Sequence, residues 1–282
     1  MTQTSAPGSA RLSLPGSLVL VGAGRMGGAM LEGWIGLGLD PAGVAVVDPT
    51  PSDEARALLA RHGVTLNPAP DADRPSAVVV MAVKPQMLDA ALPRALRHTG
   101  RDTLVVSIMA GKTLATLAAG LPPETAIVRA MPNTPAAIGR GATVAVANGR
   151  VTSEHRIVAH NLLAATGHVE WVEDEGLIDA VTAVSGSGPA YVFLMVESLA
   201  RAGVAAGLPT ALAMTLARLT VTGAGELLHR SPLPPETLRA NVTSPGGTTA
   251  AALEILMGSH RLDELLRDAV AAAARRSREL AG

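Results

Sequence analysis

Apolar residues in the first half of the chain occur in short, nearly continuous runs that are rich in valine. Such runs are typical of strands covered on both faces of a parallel sheet, and the amphipathic segments between them have the spacing of helices. This alternation predicts a doubly wound, parallel α/β sheet with right-handed crossovers. The predicted strands are residues 17–21, 43–48, 77–83, 103–108, 125–129 and 142–147, and the predicted helices are residues 26–37, 53–62, 86–96 and 114–119.

Near Glu175 the pattern changes, and strand-like runs become almost absent. The remaining chain is predicted to form helices broken by glycine and proline, and several of them are apolar nearly all round. Residues 202–217 contain no charged side chain. A helix without a polar face must be surrounded by other protein, so we expect this region to pack against a second copy of the chain. The predicted helices are residues 177–184, 190–206, 210–228, 235–241, 248–257 and 262–280.

Composition narrows the classes of partner. The net charge is −1, and the aromatic residues are two tryptophans, one tyrosine and one phenylalanine, so we expect no nucleic-acid partner. The absence of cysteine excludes disulfides and the usual structural zinc sites, and we expect no metal. The longest charge-free run, between Asp179 and Glu197, contains glycines and a proline. We therefore predict no membrane-spanning helix there, and a cytoplasmic protein without a membrane partner.

A glycine-rich turn follows the first predicted strand and opens the first predicted helix. It has the spacing G-x-G-x-x-G, and Asp48 ends the next strand. In this context the first glycine permits a tight turn, the second lets a pyrophosphate approach the backbone, and the third lets the helix pack on the strand. We interpret the turn as the dinucleotide site of a Rossmann-type domain. Its contact residues are Gly22, Ala23, Gly24, Arg25, Met26 and Gly27.

The sequence leaves open whether the dinucleotide is NADPH or NADH. Asp48 suits a ribose 2′-hydroxyl and favours NADH. Thr50, two residues further on, offers a hydroxyl to a 2′-phosphate, and Arg25 in the glycine turn supplies a positive charge. We therefore assign Asp48 and Thr50 to cofactor binding and expect both cofactors to work.

Two further segments leave strands at the carboxyl edge of the sheet, where ligands bind in folds of this kind. The first consists of Ala82, Val83, Lys84 and Pro85. Lys84 either contacts the cofactor or has only a structural, solvent-facing role. In the second segment, Asn133 and Thr134 lie between two prolines that stiffen the loop, and Asn133 offers a donor and an acceptor to a carboxamide. We assign both segments to cofactor binding.

A second glycine-rich turn, residues 244–249, reads Ser-Pro-Gly-Gly-Thr-Thr and opens a late helix, with Ser244 predicted as its N-cap. Each glycine in a helical first turn costs about 1 kcal/mol relative to alanine, so a purely structural turn would avoid two of them. Exposed backbone N–H groups here suit a small carboxylate. The predicted substrate contacts are Ser244, Gly246, Gly247, Thr248 and Thr249. A similar turn at residues 185–191 is either an anion site or a helix corner.

Taken together, these features predict an α/β Rossmann-type doubly wound sheet followed by an all-α dimerisation domain. Residues 1–16 are rich in serine, proline and glycine and lack the apolar stretch of a signal peptide, so we predict a disordered tail. Residues 17–174 are predicted to form the NAD(P)-binding domain. Residues 175–282 are predicted to form the helical substrate and dimerisation domain.

The motifs, in this order, resemble those of delta-1-pyrroline-5-carboxylate reductases. The matching segments are residues 22–27, 82–85, 129–135, 185–191 and 244–249. The resemblance extends from about Leu18 to Glu279. The glycine turn alone is not specific, whereas the Ser-Pro-Gly-Gly-Thr-Thr turn together with Met-Pro-Asn-Thr-Pro is quite specific to this family.

The resemblance implies hydride transfer from NAD(P)H to the C5 imine carbon of 1-pyrroline-5-carboxylate, which gives L-proline. It also implies that Ala82, Lys84, Asn133 and Thr134 flank the ribose and nicotinamide, and that backbone groups of residues 246–249 hold the substrate carboxylate. The Thr249 hydroxyl would face the ring nitrogen, which makes Thr249 the catalytic candidate. The helical domain is expected to interlock with a partner chain in a homodimer, with a ring of dimers as a larger arrangement.

Two other functions fit parts of the sequence. A β-hydroxyacid dehydrogenase would have the same two-domain plan, but its chemistry needs a lysine or histidine base in the helical domain. The region after Glu175 has no lysine and no histidine in a glycine-rich turn. A non-catalytic NAD(P)-sensing protein would keep the first glycine turn but would need no second anion site.

Overall fold

The computed structural model describes residues 11–71, 74–258 and 261–281. The strands in this part of the chain are β1 (Leu18–Val21), β2 (Val44–Val47), β3 (Thr65–Leu66), β4 (Val78–Met81), β5 (Leu104–Ser107), β6 (Ala126–Met131), β7 (Gly141–Ala147) and β8 (Gly167–Trp171). They form one sheet in the order β3-β2-β1-β4-β5-β6-β7-β8. The strand order reverses at β1, which has β2 on one side and β4 on the other.

Short polar side chains and glycines set the ends of the helices that pack on the sheet. These helices are α1 (Arg25–Gly36), α2 (Asp53–His62), α3 (Leu88–Leu96), α4 (Leu114–Ala119), α5 (Ser153–Ala164) and α6 (Ile178–Val181). The Ser52 hydroxyl accepts the backbone N–H of Ala55 at the start of α2, and Gly63 ends this helix with a left-handed φ of 66°. Thr113 and Thr152 cap α4 and α5 in the same way. These caps satisfy N–H groups that the first helical turn leaves unpaired.

The sheet has an apolar core on each face. On one face, Leu20 of β1 belongs to a cluster with residues of α1, α2 and α5. Trp34 is fully buried there and donates its Nε1–H to the carbonyl oxygen of Leu162 at 2.8 Å. On the other face, Val21 packs with residues of α3 and α4. Successive strand residues point to opposite faces, so a valine-rich strand is covered on both sides, as the sequence pattern predicts.

The sheet differs from the prediction at its far edge, because β6 and β7 pair antiparallel while the other pairs are parallel. The connection between them contains only the short 3₁₀ turn Thr134–Ile138. A parallel pair needs a crossover of about a dozen residues or more, so this link permits only an antiparallel return. The sequence analysis also missed β3, which has two residues, and β8, in which the exposed His168 and Glu170 interrupt the apolar pattern.

The described chain forms two compact units. The first contains the sheet, ends at Gly186 and takes up the chain again from Ala274, and the second is Ser187–Ala273. The second unit contains α7 (Gly188–Ala205), α8 (Thr210–Arg230), α9 (Pro235–Asn241), α10 (Thr248–Met257) and the first part of α11 (Arg261–Ala281). The boundary predicted at residues 174–175 differs from this division. Ile178 is fully buried, and Asp179 Oδ1 accepts the Ser277 hydroxyl at 2.6 Å, all within the first unit.

The second unit buries few of its apolar side chains. In α7 and α8 the buried residues are Ala200, Ala213 and Ala217. By contrast, Phe193 is 63% exposed and Ile255 is 64% exposed. The helices therefore form as predicted, but among the described residues α7 and α8 have no buried side chain larger than alanine.

The structure describes only the end of the predicted disordered tail. Residues 1–10 of the predicted tail lie outside the described residues. Leu12 is buried and its N–H donates to the Leu37 carbonyl oxygen, so this end of the predicted tail packs on the first unit.

The helical stretch Glu175–Ala205 is long and apolar enough to cross a membrane, with a mean hydropathy of 1.3, despite its glycines and proline. One such stretch is weak support for a membrane protein, since core helices of soluble proteins have the same character.

Candidate active site

A cavity of about 590 Å³ opens where the strand order reverses, at the carboxyl ends of β1, β2 and β4. Folds of this class bind their ligands at such a reversal. The predicted cofactor residues that line the cavity are Gly22, Gly24, Arg25, Met26, Asp48, Thr50, Ala82, Val83 and Lys84. Those that do not line it are Ala23, Gly27, Pro85, Asn133 and Thr134.

Each glycine of the first turn has its own steric reason. Gly22 has φ of 94°, and a Cβ there would lie 2.7 Å from Val83 Cγ1. A Cβ on Gly27 would collide with the carbonyl oxygen of Gly22. Gly24 is different, because its Cβ would meet no protein atom within 4 Å and would point into open space beside the cavity. Gly22 and Gly27 therefore shape the turn, and Gly24 leaves room for a ligand, as a dinucleotide pyrophosphate requires.

The start of α1 is prepared for an anion. Its N-cap is Gly24, and no side chain caps the N–H groups of the first turn. Arg25 and Lys84 line the same cavity and are exposed. Free N–H groups, the helix dipole and two cations all favour a phosphate here. The residues present therefore fit the pyrophosphate of NADPH or NADH.

Asp48 is held by the backbone around it. Its Oδ2 accepts the N–H of Ala23 and its Oδ1 accepts the N–H of Thr50, both at 3.0 Å. The side chain of Asn67 bonds both backbone groups of Asp48, accepting its N–H at 2.9 Å and donating to its carbonyl oxygen at 2.8 Å. Ala23 therefore binds Asp48 through its N–H and has a structural role in the turn, and it does not line the cavity.

The 244–249 turn lies in the second unit and differs from the prediction in its cap. Gly247 is the N-cap of α10, with no side-chain cap, and Ser244 accepts the Gly247 N–H through its carbonyl oxygen at 3.0 Å. Gly246 has φ of 69°. The serine therefore closes a tight turn before the helix, so Ser244 was wrongly predicted as the N-cap. The first N–H groups of α10 remain without a side-chain acceptor, which suits a carboxylate.

Comparisons with known proteins match both parts of the chain. A family model described as pyrroline-5-carboxylate reductase dimerisation matches residues 175–280, and one described as NADP oxidoreductase, coenzyme F420-dependent, matches residues 17–111. The pyrroline-5-carboxylate reductase of Synechocystis sp. is 47% identical over 207 residues, which are 73% of this chain and 75% of that protein. The chain belongs to the pyrroline-5-carboxylate reductase family.

Solved structures of the family extend the similarity to nearly the whole chain. The pyrroline-5-carboxylate reductase from Coxiella burnetii has a TM-score of 0.86 at 34% identity, and the match covers 95% of this chain and 100% of that chain. The pyrroline carboxylate reductase from Plasmodium falciparum, solved with NADP bound, has a TM-score of 0.78 at 28% identity and covers 95% and 99% of the two chains. The fold class predicted from the sequence, a Rossmann-type domain followed by a helical dimerisation domain, is thereby confirmed.

Asn133, a predicted cofactor residue, is hydrogen-bonded to Ser185 and to Ala142 of β7. Its Nδ2 donates to the Ser185 hydroxyl at 3.1 Å and to the Ser185 carbonyl oxygen at 3.3 Å, and its Oδ1 accepts the N–H of Ala142 at 2.9 Å. These bonds occupy the groups that were expected to bind a carboxamide. Its neighbours Met131 and Pro132 line the cavity instead. The bonds to Ser185 also favour a helix corner over an anion site for the turn at residues 185–191.

A buried ion pair joins β6 to the segment before α6. Arg129 Nη1 lies 2.6 Å from Glu175 Oε1, and the Arg129 side chain is only 4% exposed. The same carboxylate oxygen accepts the N–H of Leu114 at the start of α4, at 2.7 Å. A buried guanidinium requires such a partner. The pair therefore fixes the strand that ends at Met131, beside the cofactor cavity.

Sequence reasoning missed the wall of the cavity that α3 and the turn before it supply. Met87, Ala90, Ala91 and Arg94 line the cavity from this side. Their spacing of three and four residues puts them on one face of a helix, but only the tertiary structure shows that this face borders the cavity. Arg94 is the one charged residue among these four, and no motif in the sequence marks it.

Proposed function

We propose that this chain reduces 1-pyrroline-5-carboxylate to L-proline with hydride from NADPH or NADH, the final step of proline biosynthesis. The observation that carries the proposal is the glycine turn at the strand reversal. There Gly24 leaves open space beside an uncapped helix start, in a chain whose family is that of these reductases. Family membership supplies the choice among the many reactions that a Rossmann-type fold hosts.

The cofactor would lie along the cavity of the first unit. The uncapped N–H groups at the start of α1 would hold its pyrophosphate, with Arg25 and Lys84 supplying positive charge. Asp48 and Thr50 would border the adenosine ribose, while Ala82 and Val83 would border the part toward the nicotinamide. When bound, the reduced nicotinamide supplies the hydride.

The substrate carboxylate would be held by the backbone of Gly246, Gly247, Thr248 and Thr249, at the uncapped start of α10. The Thr249 hydroxyl would face the ring nitrogen and orient the imine. The hydride forms the new C–H bond at C5 while the electron pair of the C=N bond moves to nitrogen, which carries a proton from water. The chain would then act chiefly by aligning the nicotinamide with the substrate, which can lower the activation barrier by about 7–11 kcal/mol.

The assembly would be a homodimer formed by the helical unit. Phe193, Leu219 and Ile255 are each more than half exposed in the single chain. Soluble proteins rarely leave so much apolar surface in water, and obligate interfaces resemble a domain core cut in half. We also propose that such dimers assemble into a larger ring. The protein would act in the cytoplasm.

A steady-state assay tests the reaction. Purified protein is mixed with 1-pyrroline-5-carboxylate and either NADPH or NADH, and L-proline is measured directly alongside cofactor oxidation. We expect stoichiometric proline formation with both cofactors. Reduction or oxidation of small hydroxyacids without proline formation would indicate the hydroxyacid dehydrogenase alternative. Tight cofactor binding with neither reaction would indicate a sensing protein.

A further inference from the structure

Arg94 lies where the dinucleotide cavity meets a second, smaller one. The smaller cavity has a volume of about 220 Å³, and Arg94 and Val47 line both cavities. Val47 is the last residue of β2, and the strand end at this position carries the adenosine ribose in Rossmann-type folds. The guanidinium of Arg94 therefore belongs to the ribose end of the cofactor site.

Two arginines give the lining of the smaller cavity a positive charge. These are Arg94 and Arg97, and no carboxylate belongs to the lining within the part of the chain that the structure describes. None of the ion pairs within residues 11–71, 74–258 and 261–281 includes Arg94 or Arg97. Arg94 is partly buried, and a guanidinium that has no ion-pair partner among the described residues is suited to a bidentate contact with a phosphate.

Asp48, next to Val47 at the end of β2, is held in place by backbone and side-chain hydrogen bonds. Its two oxygens each accept a backbone N–H, from Ala23 and Thr50. Asn67, which also lines the smaller cavity, holds the backbone of Asp48 on both sides. These bonds fix the position of the carboxylate and favour its charged form, so a 2′-phosphate at this strand end needs a neighbouring cation, which Arg94 supplies.

We propose that Arg94 binds the adenosine 2′-phosphate of NADPH and makes NADPH the preferred cofactor of this chain. The proposal rests on the proposed function only in taking an NAD(P) dinucleotide as the ligand of the larger cavity. Arg94 would then determine the specificity for NADPH, because the end of β2 itself has no cation for the 2′-phosphate. It lies 46 positions after Asp48 in the sequence and reaches the ribose end through α3.

Binding of cofactor fragments tests the proposal without turnover. Isothermal titration calorimetry measures the dissociation constants of adenosine 2′,5′-bisphosphate and of 5′-AMP, which differ only in the 2′-phosphate. We expect the wild-type protein to bind the bisphosphate more tightly. Arg94→Gln should reduce that preference by about tenfold or more, as loss of a charge-assisted contact predicts, and should leave 5′-AMP nearly unchanged. Arg94→Lys should retain part of the preference.

Arg101→Gln is the matched control, because Arg101 is exposed and lines a cavity elsewhere in the first unit. It should bind both fragments as the wild type does. Equal weakening of both fragments by Arg94→Gln would assign Arg94 to stacking on adenine and overturn the proposal, as would a wild type without preference for the bisphosphate. Should the fragments behave as expected while no proline forms in the assay, the proposed reaction fails and the role of Arg94 stands. Thermal unfolding of each variant verifies that the fold is intact.

Discussion

The two units of the chain treat their large apolar side chains in opposite ways. In the first, Trp34, Met30 and Leu162 are at most 1% exposed. In the second, Phe193, Leu219 and Ile255 are each more than 60% exposed, and the buried residues of α7 and α8 are alanines. The first unit therefore contains a complete core, whereas the second has helices whose apolar faces await another surface.

This contrast separates two ways of stabilising helices. Burial of apolar surface contributes about 25 cal/mol per Å², and the first unit gains this contribution within one chain. The second unit gains little of it within one chain, so in the proposed dimer its stability should depend on protein concentration. Cofactor binding belongs to the self-sufficient unit, and the proposed substrate turn belongs to the dependent one.

The largest expected effect comes from placing a charge on the dependent unit. Leu212 in α8 is 45% exposed, and Leu212→Asp should abolish both dimer formation and proline production, because a carboxylate cannot be buried unpaired in an apolar interface. Multi-angle light scattering and the proline assay measure the two effects. Ile157→Asp is the matched control, since Ile157 is 61% exposed on the first unit. A fully active Leu212→Asp monomer would contradict the contrast between the units.

A side chain at Gly24 should separate cofactor binding from folding. A Cβ there meets no protein atom within 4 Å, so Gly24→Val should leave the stability of the first unit and the dimer nearly unchanged. Its methyl groups would occupy space meant for the pyrophosphate, and we expect the NADPH dissociation constant to rise by about tenfold or more. Fluorescence titration of NADPH gives that constant. Gly43→Val, also in open space but away from the cavity, should bind NADPH normally.

Thr249 tests the dependent unit's share of the chemistry. Thr249→Ala should lower kcat/KM for 1-pyrroline-5-carboxylate by about tenfold or more, which corresponds to roughly 1.4 kcal/mol. NADPH affinity should barely change, because the hydroxyl is assigned to the substrate alone. Thr249→Ser keeps the hydroxyl and should restore most of the activity. Full activity in the alanine variant would remove Thr249 from the proposed site.

The smallest effect should appear in the first unit as pH falls. Burial, with a further contribution from the Arg97 charge, lowers the pKa of His98 below its ordinary value of 6.5. Below about pH 6.5 the unfolded chain therefore binds a proton that the folded chain resists, so the free energy of unfolding should decrease as the pH falls through this range. Above it, His98 is neutral in both states and contributes nothing. Urea unfolding, measured above and below pH 6.5, should show that the free energy of unfolding falls less with acid in His98→Gln than in the wild type. Dimer formation should be unaffected.

The sequence predicts those features that depend on local pattern and chain order. The bounds of α2, α4, α9 and α10 agree with the predicted helices, because capping residues and breakers lie next to them in the chain. The strand, glycine turn and helix at residues 18–36 were likewise predicted because they are contiguous in the chain. The prediction for Ser244 was wrong because the left-handed Gly246 inserts a turn before the helix, which the spacing of serine and proline does not reveal.

Features that depend on distant contacts could not be found in this way. The side chain of Asn133 is engaged by Ser185, which follows it by 52 residues, and the bond between them exists only in the folded chain. Arg94 borders the cofactor cavity because α3 packs beside the end of β2, a relation that no local periodicity encodes. The exposure of Phe193 in particular could not be predicted. A helix that is apolar all round indicates that another surface covers it, but not which of its side chains that surface contacts.

The location of the two tryptophans gives each unit a different optical signature. Trp34 and Trp171 both belong to the first unit. Trp34 is sealed in the core against the Leu162 carbonyl, and Trp171 has the Arg156 guanidinium 4.4 Å above its ring. Intrinsic tryptophan emission should therefore follow the melting of the cofactor-binding half alone, while far-ultraviolet circular dichroism includes the strongly helical second half. Transitions that coincide in the dimer but separate on dilution would reveal how far the two halves melt as one cooperative system.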